Sequence, residues 1–220
     1  MDDRTSDTGM MILSIETSVP TASLCLSEDG RVLSCAAWTA ERNHDAYLFP
    51  ALQEAMNVLG ERRPDVILIG AGPGSYGGVR VALAAGVGIA EVTGARLISL
   101  CSWAQLAEGK ACVVSDARRG GWTLRRPNGE ITVVTTEELQ DEISKGLLLY
   151  TTEQVGMLES KGLPAPHKAA LTPTAEGLVR TWESMTEAER DAAARRPAEP
   201  IYVRPPHITK ALHKPWEIRK

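Results

Sequence analysis

Apolar and polar positions in the N-terminal half run in short alternating stretches before they take on helical spacing. Met10 to Ile15, Thr21 to Ser27 and Arg31 to Ala37 are short apolar or alternating runs, and the last two are joined by Asp29-Gly30. Period-two patterning of this length with such a dipeptide predicts a hairpin, so three antiparallel strands open the chain. From His44 to Leu59 the residues Tyr47, Leu48, Ala51, Leu52, Ala55, Met56 and Leu59 recur at helical spacing before Gly60. This predicts a helix with a glycine stop, in which Pro50 must introduce a kink or begin a second part. Val66 to Ile69 and Leu97 to Leu100 read as buried strands, and Val79 to Val92 reads as the crossover helix that makes them parallel.

The order strand, strand, strand, helix, strand, helix, strand is the half-unit of the actin, sugar-kinase and Hsp70-like fold. A second copy begins at Ala111, where Ala111 to Asp116 repeats the pattern of Met11 to Glu16, an apolar strand ending in serine and a carboxylate. Gly129 follows Asp116 at nearly the spacing by which Gly30 follows Glu16, and Ile131 to Val134 supplies the third strand. Thr136 to Ser144 and Thr174 to Met185 read as helices of this degenerate copy, and Gly146 to Tyr150 as a strand. The expectation is a duplicated actin-like (ribonuclease H-like) α/β fold of two subdomains around a cleft. Residues 1–9 form a disordered tail, 10–101 the first subdomain and 102–220 the reduced second.

Between the strand at Val66 and the helix at Val79 lies the glycine-rich turn Gly70-Ala71-Gly72-Pro73-Gly74-Ser75-Tyr76-Gly77-Gly78. A phosphate loop of the Walker kind needs a Gly-Lys-Ser/Thr ending, which Gly77-Gly78-Val79 does not provide. Gly72, Gly74 and Gly77 spell a dinucleotide fingerprint, yet no carboxylate follows in Arg96 to Ser102 to meet a ribose. A structural turn is the default reading, with Gly72, Gly74, Ser75 and Asp116 as the candidates for nucleotide contact.

The rest of the composition narrows the chemistry. A net charge of -4 with 24% charged residues excludes a generally basic nucleic-acid binder. Val79 to Val92 is too short to cross a bilayer and contains Arg80 and Glu91. The acidic start is unlike a signal peptide, which points to the cytoplasm. Cys25, Cys35, Cys101 and Cys112 form no C-x-x-C pair and read as buried thiols, with Cys25 and Cys35 able to face each other across the hairpin. The histidines lack the one-turn spacing of a helical metal site, and no nucleophile elbow is present. Glu16 and Asp116 could hold magnesium between the halves, or each could hydrogen-bond its own turn. Gly86 and Gly88 in the second helix predict close packing, on its own sheet or on another chain, and a helix so apolar all round predicts burial.

Ile15-Glu16-Thr17-Ser18, Arg42-Asn43-His44, Leu48-Phe49-Pro50, Gly72 to Arg80, Asp116-Ala117-Arg118 and Glu199-Pro200-Ile201-Tyr202-Val203-Arg204 resemble the bacterial TsaB (YeaZ) family. The resemblance implies a non-catalytic partner of TsaD, the paralogue that transfers a threonylcarbamoyl group to the adenosine beside the tRNA anticodon. The ATPase TsaE would complete the complex, tRNA would be met indirectly, and ATP with magnesium would bind only within the complex, the chain alone holding no cofactor. It further implies an interface, with TsaD or a second copy, on the two helices: Tyr47, Leu48 and Ala51 on the first, and Val79, Arg80, Leu83, Gly86, Val87 and Ala90 on the second. Tyr76-Gly77 stands where the family usually has Phe-Thr, Gly121 where a glutamate is usual, and Glu16 where aspartate is common. The competing reading is an ATP-dependent phosphotransferase or carbamoyl-transferring enzyme of the same superfamily, built on Glu16 and Asp116.

Overall fold

A computed structural model describes residues 9–40, 43–107, 110–118 and 120–203. The first sheet has the order β3-β2-β1-β4-β5, built from β1 (Met11–Glu16), β2 (Thr21–Glu28), β3 (Arg31–Thr39), β4 (Val66–Gly70) and β5 (Arg96–Leu100). β1 sits at its centre, antiparallel to β2 and parallel to β4. The second sheet repeats this plan around β6 (Ala111–Asp116), with β7 (Gly121–Arg125), β8 (Ile131–Thr135) and β9 (Leu148–Thr151) in the order β8-β7-β6-β9. Again the central strand is antiparallel to the hairpin and parallel to the later strand. The duplicated actin-like fold is thus present, with the second sheet one strand short.

Alternation along β1 explains the layering. Met11, Leu13 and Ile15 pack under helix α1 (Asp45–Leu59) through Leu48, Leu52, Ala55 and Leu59, and under helix α2 (Tyr76–Thr93) through Ala82. Ile12 points to the other face, where Val66, Leu68, Ile98 and Leu100 meet Leu178, Val179 and Trp182. These three belong to a later helix, Ala175–Ser184. That helix therefore covers the first sheet, although its place in the sequence assigns it to the second copy. The strands divide near residues 101 to 110, but the first core is completed from beyond that point. The physical reason is that a central sheet apolar on both faces must bury both. The helix start is tied down accordingly: Ser14 Oγ donates to the Ala175 carbonyl at 2.9 Å, and the Ala175 N–H donates to Ser23 Oγ at 2.8 Å.

Helix α3 (Thr136–Ser144) covers one face of the second sheet through Leu139, and the short helix α4 (Met157–Ser160) adds Leu158. The helix of Ala175–Ser184 is α5, and α6 spans Glu187–Ala194. Pro50 lies inside α1, which runs through it as one helix. Its missing N–H leaves the Ala46 carbonyl without a helix donor, at a site open to solvent. Cys25 pairs with Cys35 across β2 and β3, and Cys25 and Cys112 are buried as expected. Cys35 is exposed and Cys101 half-buried, because β3 is the edge strand and Cys101 lies past the end of β5. Residues 1–8 of the expected tail, Arg42, His207, His213 and the basic segment from Arg204 lie outside the described residues.

Candidate functional site

The glycine-rich turn is folded around the loop that follows β1. The Ser75 N–H donates to the Ser18 carbonyl at 2.6 Å, and Thr17 Oγ1 donates to the Gly78 carbonyl at 2.7 Å. Cβ atoms on Gly74 and Gly78 would overlap the carbonyl oxygens of Ser18 and Thr17 respectively. Gly72 has φ +88, a left-handed conformation that glycine takes without strain, and its N–H donates to Ser102 Oγ at 3.0 Å. Ser75 caps α2 by accepting the Gly78 N–H. The N–H groups of Gly72, Ser75 and Gly78 are therefore spent on protein acceptors, and the Ser18 carbonyl faces the turn where a phosphate oxygen would have to sit. This geometry does not fit a nucleotide cradle of the chain's own, and it gives Gly72, Gly74 and Ser75 a structural task.

Each of the two carboxylates serves its own turn. Glu16 is fully buried, and its Oε1 accepts the Ser18 N–H at 2.8 Å, while Oε2 has no protein partner. Burial pushes the Glu16 carboxyl above the usual range, the nearby polar groups of Ser18, Ser102 and Thr17 only partly offsetting it. Asp116 Oδ1 accepts the Arg118 N–H at 2.8 Å, and Oδ2 pairs with Lys161 Nζ at 2.9 Å. Desolvation opposes its charge, but Lys161 and the Arg118 N–H outweigh it and hold the carboxyl below the usual range. The i to i+2 bond from carboxylate to backbone recurs in both copies, a trace of the duplication. Among the described residues no three His, Cys, Asp or Glu side chains gather as a metal site. His44 is buried at the start of α1, which pushes its imidazole pKa down, and its Nδ1 lacks a protein partner.

The feature with the form of a binding surface is the outer side of α1 and α2. An apolar groove of about 580 Å³ runs between them, lined among others by Phe49, Leu52, Met56, Ala85, Ile89 and Val92. Phe49 is 63% exposed, Val92 80% and Val87 43%, and Tyr47 and Tyr76 are exposed as well. Burial of α2 wholly within the monomer, one of the two expected arrangements, is thus not found: only Gly78, Val79, Ala82 and Gly86 are buried. Small residues on that side let the helix sit close to its sheet, and the bulkier apolar residues are left on the far side. Of the nine interface candidates, Tyr47, Arg80 and Val87 are exposed, and Leu83 and Ala90 are half-buried. Leu48, Ala51, Val79 and Gly86 are committed to the protein's own core. Gly86 in particular faces the sheet, since a Cβ there would lie 2.8 Å from Leu97 Cδ1 and 3.0 Å from Ile69 Cγ2. Phe49 and Val92 went unselected. Phe49 stood in the sequence beside Pro50 on the outer side of an amphipathic helix, which was the signal available.

The C-terminal motif also returns to this region. Ile201 N–H donates to the Ala71 carbonyl at 2.8 Å, Tyr202 stacks on Tyr76, and Arg80 lies over the Tyr76 ring. The sequence motif is thus an anchor on the glycine-rich turn, a contact between distant segments that spacing alone does not reveal.

A family model described as TsaD, tRNA N6-adenosine threonylcarbamoyltransferase, matches residues 38–170, more than half of the chain. The chain belongs to the TsaD family. Two solved structures share the fold of this chain. An uncharacterized protein with similarity to peptidase YeaZ from Pseudomonas aeruginosa is 22% identical with a TM-score of 0.63, covering 89% of this chain and 100% of its own. YeaZ from Pseudomonas aeruginosa is 21% identical with a TM-score of 0.62, covering 88% and 99%. No curated protein gives a significant match. No helix among the described residues is long and apolar enough to cross a membrane.

Proposed function

We propose that this chain is a non-catalytic scaffold subunit that binds TsaD through α1 and α2 and holds it in its active arrangement for threonylcarbamoyl transfer to tRNA. Membership of the TsaD family supports a role in tRNA modification. The observation that carries the scaffold reading is the apolar groove with Phe49 and Val92 on its wall. Burying such a face yields about 25 cal/mol per Å² of apolar area, and exposed apolar patches of this kind mark interaction sites. Helices meeting helices give a four-helix contact, and a second copy using the same face is the competing mode. TsaE joins the assembly, tRNA is met through it, and a nucleotide binds only where a partner completes the site.

The test is association with TsaD by the wild-type chain and by Phe49→Asp, together with threonylcarbamoyl transfer by the mixture. Loss of both binding and transfer in the variant supports the reading, and full binding by the variant contradicts it. The enzyme reading draws on one observation, the unpartnered Oε2 of Glu16. Its second carboxylate, Asp116, is held by Lys161 and the Arg118 N–H. ATP hydrolysis by the chain alone, abolished by Asp116→Ala, would favour it.

A further inference from the structure

Cys25 in β2 and Cys35 in β3 stand directly opposite each other in the antiparallel register, and the irregularity of these two strands falls beyond them, between Leu26 and Ser27. Residues opposed in this way have Cα atoms about 4.5 or 5.5 Å apart, and both separations lie within the roughly 4.4–6.8 Å that a disulfide spans. Leu24 and Leu26 belong to the core under α1, so Cys25 between them projects from the other face of the sheet, where the charges of Glu176 and Arg180 on α5 act on it. Its thiol donates to the Leu26 carbonyl at 3.9 Å. The two sulfurs are unequal. Cys25 is fully buried, and burial, then the adjacent Cys35 sulfur, push its thiol up, whereas Cys35 is exposed on the edge strand. Thiol–disulfide exchange needs a sulfur that can reach its target, so Cys35 is the one that meets a reagent from solution. Cys25 is shielded from such a reagent but lies against the sulfur that has met it.

We propose that Cys25 and Cys35 are a redox pair, which a small disulfide such as oxidised glutathione closes to an intramolecular bridge and a small thiol reopens. The Cys35 thiolate attacks one sulfur of the reagent, the reagent's S–S bond breaks, and half of it leaves as a thiolate that takes up the proton Cys35 gave up. In the mixed disulfide the Cys25 thiol loses its proton and attacks the Cys35 sulfur, expelling the second half of the reagent as a thiol. Two protein thiols are oxidised, and one small disulfide is reduced to two thiols. Burial disfavours the Cys25 thiolate, but its place directly opposite Cys35 gives the closing step the high effective concentration of an oriented intramolecular reaction. The bridge fastens the edge strand β3 to β2 on the face of the sheet away from the α1–α2 groove. Because the Cys35 sulfur is at the surface, a thiol can attack the bridge there and restore the pair.

The experiment uses the full chain, incubated with oxidised glutathione under native conditions, alkylated at its remaining thiols and read by mass spectrometry without reductant. Arg31 lies between the two cysteines, so tryptic cleavage there parts their peptides unless a bridge joins them. The wild type is expected to give the joined peptides, which separate on adding a dithiol reductant, whereas Cys25→Ala stops at a glutathione adduct on Cys35. That adduct should be at least about tenfold more abundant in the variant than in the wild type, where the opposite thiol resolves it. A wild-type chain that keeps the adduct on Cys35, or leaves both thiols unreacted, overturns the proposal. So does a bridge between two chains that grows with protein concentration. The wild-type peptides decide the matter by themselves, so a Cys25→Ala chain that fails to fold leaves the test intact.

Discussion

The backbone N–H of Ser75 donates to the carbonyl of Ser18 at 2.6 Å, and this bond seats the glycine-rich turn against the first hairpin. It makes the segment a structural clamp, in keeping with the default reading of its sequence. Gly74, immediately before it, has no room for a Cβ because the Ser18 carbonyl oxygen is there.

Gly74→Ala therefore destabilises the fold by about 2–4 kcal/mol, because neither backbone segment can yield cheaply. Gly77→Ala is the control: a Cβ there meets nothing within 4 Å, and a residue in the first turn of α2 gains up to about 1 kcal/mol from the exchange. Urea unfolding of both variants, in which only Gly74→Ala shifts to lower denaturant, checks the pair.

Gly86 and Gly88 are expected to part company in the same way. Gly86→Ala pushes against Leu97 and Ile69 and loses stability by about 1–3 kcal/mol, whereas Gly88→Ala, open on the groove side, is neutral or stabilising. Thermal unfolding distinguishes them, and an unperturbed Gly86→Ala would place that face of α2 away from its sheet.

Glu16 gives a pH signature. Its folded pKa is raised by burial above the ordinary value of 4.5, so its contribution is fully present below about 4.5 and is lost as pH rises through the folded value. Glu16→Gln keeps an acceptor for the Ser18 N–H and removes the buried charge. The variant should gain stability over wild type as pH rises from 4.5 towards neutrality. A constant difference across that range, followed by chemical denaturation, would contradict the assignment.

The chain alone should bind no nucleotide. Titration with ATP and magnesium is expected to give no heat, since the N–H groups of Gly72, Ser75 and Gly78 already have acceptors. Micromolar binding by the isolated chain would require the turn to open away from Ser18.

The hairpins and parallel strands were legible because alternation and Asp29-Gly30 are local signals, and the repeat at Ala111 was legible because the same pattern recurs. Helix α6 was missed, although Thr186 and Glu189 form a capping box that the sequence displays, because Glu187–Ala194 is too polar to show an apolar stripe. The position of α5 on the first sheet, and the stacking of Tyr202 on Tyr76, depend on contacts between distant segments and carry no local mark. The two helices expected to carry an interface do border an apolar groove, but the way each helix faces was not legible. Leu48, Val79 and Gly86 turned inward, while Phe49 and Val92 turned out to be the exposed pair.

The most direct measurement is light scattering after size-exclusion chromatography of this chain mixed with TsaD from the same organism, for wild type, Phe49→Asp and Val92→Asp. The variants should fold as wild type does, within about 0.5 kcal/mol for surface changes, and weaken the complex by roughly thirtyfold, the effect of losing a hot spot of about 2 kcal/mol. A stable wild-type complex lost in both variants is the predicted result. No association by the wild-type chain, or a complex indifferent to both substitutions, would contradict the scaffold account.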